Sequence, residues 1–149
     1  MPNRRQFVRA MSGLAVAPLM PAPAAAQADP FAPLIAAFTK GAPVREGRVT
    51  VDTPNLADNG NAVPLRIVVD SAMDAADHVQ RITVLSEKNP RPVIATFHLG
   101  PRAGRAVVTT RVRLNGAQRL MAVAELNDGT FWAGSTYVVV TSTACWDES

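Results

Sequence analysis

The chain has 149 residues, one cysteine and a formal charge of +3. The excess positive charge belongs to Arg4, Arg5 and Arg9, because the residues from 29 onward carry 12 basic and 12 acidic side chains. A neutral body of this length does not indicate a nucleic-acid or anionic-membrane partner, and it is long enough for one domain with its own core.

The first 28 residues have the pattern of an export signal. Arg4 and Arg5 form a basic start, residues 10–20 form a short apolar run, and residues 24–28 provide the small side chains of a cleavage site. The paired arginines and the weak apolar run favour the twin-arginine route, although an ordinary signal with two chance arginines has the same outline. The run is shorter than the roughly 20 residues that span a bilayer. We therefore expect residues 1–28 to be removed and the protein to be periplasmic.

A short helix is predicted at residues 29–40. Four apolar side chains recur there at helical spacing and would share one face: Phe31, Leu34, Ile35 and Phe38. Pro33 is tolerated because it falls in the first turn of the helix. Gly41 then follows as a natural helix stop.

After the helix, apolar residues alternate with polar ones, which is the pattern of half-buried strands. Seven such runs begin near Val49, Val63, Ile82, Val93, Val108, Leu120 and Tyr137. Asn115-Gly116 and Asp128-Gly129 stand between runs and predict hairpin turns. The series predicts an all-β fold at residues 29–141, an immunoglobulin-like antiparallel β-sandwich with a short N-terminal helix. A flexible C-terminal arm is expected at residues 142–149.

No catalytic, cofactor or metal-binding pattern is visible along the strands. His78 and His98 are far apart and have no third ligand at metal-site spacing, so surface or half-buried positions are expected. Asp70, Asp74 and Asp77 lie in one loop, but the glycine and the terminal glutamate of a calcium loop are missing, and a solvated loop is expected. We therefore expect no metal, no cofactor and no enzymatic activity of the chain's own.

Phe131 and Trp132 follow the Asp128-Gly129 turn and leave two interpretations open. Packing in the core is the ordinary role of such large side chains. An exposed aromatic pair next to a turn would instead form an apolar patch for a partner.

Cys145 follows the last predicted strand, in the segment Thr143-Ala144-Cys145-Trp146-Asp147. A lone cysteine forms no disulfide within its own chain, and an accessible thiol is open to nucleophilic attack, oxidation and disulfide exchange. Nothing in the segment activates the thiol, because the charged neighbours that follow it are acidic. Position alone therefore fits an incidental or structural cysteine as well as a functional one.

Five segments stand out along the chain: residues 55–65 (NLADNGNAVPL), 88–97 (KNPRPVIATF), 110–114 (TRVRL), 121–124 (MAVA) and 128–129 (DG). In this order they resemble the SoxY family, the sulfur-carrier subunit of the SoxYZ complex of thiosulfate oxidation. The resemblance implies an immunoglobulin-like fold, a heterodimer with a SoxZ-like subunit, and sulfur intermediates attached covalently to Cys145 on the arm. It implies a carrier that presents its cargo to periplasmic sulfur-oxidation enzymes and performs no catalysis itself.

The arm differs from the family pattern, in which glycines stand on both sides of the cysteine. Here Ala144 and Trp146 flank Cys145, and Asp147 follows. Glycine gives backbone freedom and little bulk, which suits a narrow active-site channel. Trp146 is large and Asp147 is charged, so the arm is similar instead to those SoxY-related arms that end in Ala-Cys, a bulky residue and an acid. We expect a different client enzyme.

Two functions follow from these residues. The first is a periplasmic carrier that binds sulfur intermediates through Cys145 and presents them to partner enzymes of thiosulfate-like oxidation. The second is an interaction module, in which Cys145 forms a mixed disulfide with a periplasmic partner or Trp146 anchors the complex. Neither function requires nucleic acid, a membrane or a cofactor.

Overall fold

Residues 28–142 are described by the structure, a computed structural model. The predicted arm beyond Ser142 and the predicted signal peptide, except for Ala28, lie outside the described residues. No helix within residues 28–142 is long and apolar enough to span a membrane. The helix and strands are α1 (Ala32–Thr39), β1 (Val44–Glu46), β2 (Val49–Asp52), β3 (Leu56–Ala57), β4 (Val63–Val69), β5 (Val79–Ser86), β6 (Val93–His98), β7 (Val107–Val112), β8 (Gln118–Leu126) and β9 (Phe131–Val140).

The strands form two sheets that face each other. The larger sheet has the order β1-β9-β8-β5-β6, with β3 also paired to β9, and the smaller sheet has the order β2-β4-β7. This arrangement confirms the predicted all-β sandwich, and α1 confirms the short N-terminal helix. The expected antiparallel pairing fails only at one edge, where β1 and β3 run parallel to β9. Both strands are very short. Between them the chain passes through β2 of the smaller sheet, and it then returns to the same edge of β9, again parallel to it.

The Asn115-Gly116 turn does not close a hairpin, so that prediction is wrong. β7 pairs with β4 in the smaller sheet, whereas β8 pairs with β5 and β9 in the larger one, and the turn carries the chain between the sheets. The Asn115 N–H donates to Oδ1 of Asn89 at 2.9 Å instead of to a neighbouring strand. The Asp128-Gly129 hairpin is confirmed, because β8 and β9 pair on either side of it.

Strand alternation places one row of side chains between the sheets. In β4 the side chains of Val63, Leu65 and Ile67 are buried, and those of Pro64 and Arg66 between them are exposed. Apolar side chains from β5, β8 and β9 close the same core from the other sheet. Burial of each aliphatic side chain of this size contributes about 1.5–3 kcal/mol, so this core is the main source of stability.

A second, smaller core lies between α1 and the outer face of the larger sheet. Phe31, Val123 and Phe131 are buried there, and Phe38 packs edge-on against Phe131 with ring centroids 6.5 Å apart. Phe131 is therefore a core residue, and the interpretation of it as an exposed patch is wrong. Trp132 is half-buried and packs against the main core.

The two sheets approach each other closely at Gly134 in β9. A Cβ atom added to this glycine would lie 2.1 Å from the carbonyl oxygen of Val49 in β2. No side chain fits at such a distance unless the backbone moves. Gly134 therefore permits the contact between β9 and β2 that closes this edge of the sandwich.

A buried polar network connects the loop between β5 and β6 to the end of β7. Oε1 of Gln118 accepts hydrogen bonds from Ser86 Oγ at 2.6 Å and from the Lys88 N–H at 2.9 Å. Its Nε2 donates to Asn89 Oδ1 at 3.1 Å, and Asn89 Nδ2 donates to the Arg113 carbonyl at 2.8 Å. Gln118 is fully buried, so its amide depends on these partners.

Replacement of the glycine at the sheet contact, Gly134→Ala, is expected to lower the free energy of unfolding by about 1–3 kcal/mol, because the methyl group overpacks against Val49. Gly100→Ala is the matched control, since Gly100 is extended and has no atom within 4 Å of an added Cβ. The control should stay within about 0.5 kcal/mol of the wild type. Urea unfolding measures both variants, and equal effects would contradict the close approach.

Removal of the amide at the centre of the network, Gln118→Met, is expected to lower the free energy of unfolding by about 1–3 kcal/mol. Ser86 Oγ and the Lys88 N–H would lose their acceptor inside the protein. Gln80→Met makes the same replacement at an exposed position of β5 and should change stability by less than about 0.5 kcal/mol. If the two variants unfold at the same urea concentration, the network does not contribute to stability.

Candidate functional site

The three residues singled out on the arm, Ala144, Cys145 and Trp146, lie outside the described residues. What the structure describes is the point from which the arm starts. Ser142 is the last described residue, and a fully extended chain from Ser142 to Cys145 covers about 10 Å. The chain just after β9 therefore sets the region within which Cys145 can lie.

The arm root, Thr141 and Ser142, is held by three hydrogen bonds to the last residue of β3 and to the segment that follows it. The Thr141 N–H donates to the Ala57 carbonyl at 3.1 Å, and Thr141 Oγ1 donates to the Asp58 carbonyl at 3.1 Å. The Ser142 carbonyl accepts from the Gly60 N–H at 2.7 Å. These bonds fix where the arm leaves the sandwich.

The segment that holds the root is itself tied to the smaller sheet. Asn59 Oδ1 accepts from the Asn61 N–H at 2.8 Å, which closes a local turn. The carbonyl of Gly60, which is buried, accepts from the Leu114 N–H at 2.8 Å. The arm root is thus connected through residues 57–60 to the chain just beyond β7, and the first segment of the family resemblance has this structural role.

Three exposed apolar side chains lie next to the arm root: Leu56, Tyr137 and Val139, which are 57%, 56% and 42% exposed. Leu56 pairs with Val139 across β3 and β9, and Tyr137 lies two residues before Val139 on the same face of the strand. We call these three residues the root patch. Exposed apolar side chains that cluster in this way are typical of an interaction surface. The patch could not be predicted from the sequence, because the apolar pattern of a strand does not say which of its faces is covered.

His78 and His98 have separate local environments. His78 Nδ1 lies 2.9 Å from the Asp74 carbonyl in the loop before β5, and His98 ends β6 opposite Arg81. Within residues 28–142 no three His, Cys, Asp or Glu side chains come together in a way that could hold a metal ion. That the chain works without a metal or cofactor stays a prediction.

The acidic loop at residues 70–77 is organised by its own hydrogen bonds. Asp74 Oδ1 accepts from the Ala76 and Asp77 N–H groups at 2.8 and 2.7 Å. Asp77 forms an ion pair with Arg48 at 2.7 Å, and this hydrogen-bonded guanidinium holds the pKa of the Asp77 carboxyl below its usual value. One carboxylate oxygen of Asp74 and one of Asp77 are thus occupied by donors within the protein.

Trp132 is also fixed by the fold. The guanidinium groups of Arg45 and Arg48 lie 5.7 and 5.5 Å from the centroid of its ring, and Nε1 donates to Thr130 Oγ1 at 3.1 Å. Thr130 Oγ1 donates in turn to Asp128, which lowers the pKa of that carboxyl. These contacts indicate a structural role for Trp132.

Comparison with known proteins identifies one family. The model of the family described as "Sulfur oxidation protein SoxY" matches residues 35–145, which is most of the chain. The matched region contains the five segments noted in the sequence and extends to Cys145. No curated protein sequence matches the chain.

Solved structures show how widely the fold occurs. The sulfur carrier protein SoxY from Chlorobium limicola f thiosulfatophilum has a TM-score of 0.61 and 24% identity, over 73% of this chain and 94% of that one. A superoxide reductase (neelaredoxin) from Ignicoccus hospitalis has a TM-score of 0.56 and 17% identity, over 63% and 80% of the two chains. The superoxide reductase from Nanoarchaeum equitans has a TM-score of 0.54 and 12% identity, over 64% and 100%.

At these identities the solved structures establish the fold alone, and a fold shared by a carrier and by reductases does not decide between them. The family match is a match of sequence, and it extends from residue 35 in α1 to Cys145. By this match the chain belongs to the SoxY family of sulfur oxidation proteins.

Proposed function

We propose that the chain is a sulfur carrier whose Cys145 binds sulfur intermediates covalently during the oxidation of reduced sulfur compounds. The observation that supports this most strongly is the family match, which runs through residue 145 and so includes the only cysteine of the chain. A carrier of this kind needs one accessible thiol and a stable body that holds it. The chemistry is performed by other proteins.

The step available to Cys145 is the formation and cleavage of a sulfur–sulfur bond. When a thiol and a second thiol-level sulfur atom are joined, two S–H bonds break, one S–S bond forms, and two electrons and two protons are released. A partner enzyme that accepts electrons must take up those two electrons. Exchange with another thiol then transfers the cargo and returns Cys145 to the thiol form without net oxidation.

The arm root limits how far the cargo travels. Because Cys145 is three residues from Ser142, its Cα stays within about 10 Å of the Cα of Ser142, just beyond the end of β9. An enzyme that receives Cys145 in its active site must therefore approach this end of the sandwich closely. The root patch lies beside the root and offers this enzyme an apolar contact surface.

The residues that flank the thiol select the client. Ala144 and Trp146 replace the glycines that the family carries on both sides of the cysteine, so a narrow channel would exclude the indole of Trp146. We propose a client whose entrance is wider and lined by apolar side chains. A SoxZ-like subunit, which the family implies as the partner in a heterodimer, completes the carrier.

The proposal places the protein in the periplasm. It is supported by the basic start with Arg4 and Arg5, the short apolar run and the small-residue cleavage pattern before Asp29. Export in this form delivers the chain with a single unpaired thiol to the compartment where partner enzymes and their sulfur substrates meet.

Intact mass spectrometry of the protein isolated from its native periplasm is expected to show added sulfur species on Cys145. The added mass should disappear after treatment with a thiol reductant, because the cargo is held by a sulfur–sulfur bond. Cys145→Ser should lack the adduct. The same variant should unfold at the same temperature as the wild type, since a carrier thiol is not part of the core.

Two results would count against a carrier. One is a native protein whose Cys145 is always a free thiol while the cells oxidise reduced sulfur compounds. The other is a persistent disulfide between Cys145 and one partner on non-reducing gels, which is the outcome expected for an interaction module.

A further inference from the structure

A groove runs along the open side of the sandwich, between the outermost strands of the two sheets. β6 ends the larger sheet and β7 ends the smaller one. The groove has a volume of about 430 Å³, and its apolar lining comes from Ile94, Ala95, Phe97 and Val112. Neither strand pairs with a further strand within residues 28–142, so the groove faces solvent in the described part of the chain.

One end of this groove is strongly basic. Arg111 and Arg113 line it at the end of β7, and both are exposed. The ion pairs among the described residues involve Arg48, Arg81 and Arg119, so Arg111 and Arg113 have no acidic partner there. Asn89 closes this end through its hydrogen bond to the Arg113 carbonyl.

The arm starts close to the same end. The Ser142 carbonyl bonds to the Gly60 N–H, and the Gly60 carbonyl bonds to the N–H of Leu114, the residue after Arg113. Two hydrogen bonds thus lead from the arm root to the basic end of the groove. Five residues of extended chain, from Ser142 to Asp147, cover about 17 Å, which is enough to span the two hydrogen-bonded steps of about 5 Å each from Ser142 to Leu114 and to reach Arg113 beside it.

The arm carries an apolar side chain and two acidic ones, which match the apolar lining and the basic end of the groove. Trp146 is a large apolar side chain, and Asp147 and Glu148 follow it directly. We propose that residues 143–149 dock reversibly in the groove between β6 and β7 of their own chain, with Asp147 and Glu148 at Arg111 and Arg113 and Trp146 against the apolar lining. The docked arm keeps Cys145 close to the body, and a client enzyme releases it by competing for the same residues.

The docked state of the arm does not require sulfur chemistry at Cys145. Docking of the arm is a property of Trp146, the two acids and the groove, and it would hold for an interaction module as well as for a carrier. Exposed ion pairs are weak and sensitive to salt, so the docked and released states should interconvert readily.

The chain has two tryptophans, which makes the docking measurable by NMR on residues 29–149. The indole N–H of Trp132 is fixed by Thr130 and serves as an internal reference. We expect the Trp146 indole N–H of the wild type to have an order parameter near the rigid value of about 0.85, and that of the double variant Arg111→Glu/Arg113→Glu to fall below about 0.6. Sodium chloride at 1 M, where the Debye length is about 3 Å, should act in the same direction.

The matched control is Arg102→Glu/Arg105→Glu, which reverses two charges in the β6–β7 connection at the opposite end of the groove. It should leave the Trp146 signal unchanged. Ala95→Phe fills the apolar lining without changing the charge and should release Trp146 as the first double variant does. An unchanged Trp132 signal in each variant shows that the sandwich is folded.

Several results would overturn the proposal. A Trp146 indole that is already mobile in the wild type means that the arm does not dock. If both double variants release Trp146 equally, the net charge of the protein controls docking, and Arg111 and Arg113 have no specific role. Order that disappears on dilution means that the arm binds a second copy of the chain instead of its own groove.

Discussion

The hydrogen bond between the Gly60 N–H and the Ser142 carbonyl holds the C-terminal end of the described chain against the sandwich. It fixes the last described residue before the arm to a buried glycine, whose own carbonyl is bonded to Leu114. The end of β9, the segment after β3 and the end of β7 are joined by these two bonds. Without them the arm would begin further back along β9, and the reach of Cys145 from the sandwich would not be defined.

The regular parts of the fold could be predicted from the sequence. The alternation that starts at Val63 gives a seven-residue strand, and the Asp128-Gly129 turn gives a hairpin, because side-chain period and turn chemistry act locally. β1 and β3 were missed because two or three residues carry no period. The Asn115-Gly116 turn was misjudged because its partner, Asn89, is distant in sequence, and a tertiary hydrogen bond overruled the local hairpin preference.

The site divides in the same way. Cys145 could be proposed as the attachment site from the family resemblance together with its position after the last strand, and Trp146 and Asp147 could be recognised as departures from the glycine pattern. The root patch could not be predicted, since Leu56 and Val139 have the same apolar character as residues of the core. They are exposed because α1 covers the outer face of the larger sheet only near Phe131 and Val123 and does not extend to the end of β9.

A sandwich of this kind is shared with superoxide reductases, so the fold limits the possible functions less than the arm does. In this chain the body supplies a rigid root, an apolar patch beside it and a basic groove, while the arm supplies one thiol with a bulky and acidic flank. These features agree with the proposed carrier, in which Cys145 holds the cargo and other proteins perform the chemistry.

The most direct measurement is isotopic labelling of the thiol during turnover. Cells that oxidise a reduced sulfur compound enriched in ³⁴S would be sampled over time, and the peptide that contains Cys145 would be isolated without reductant and analysed by mass spectrometry. Heavy sulfur is expected to appear on this peptide while the compound is consumed and to disappear when the compound is exhausted. A peptide that never carries the label while oxidation proceeds would contradict the proposed carrier role.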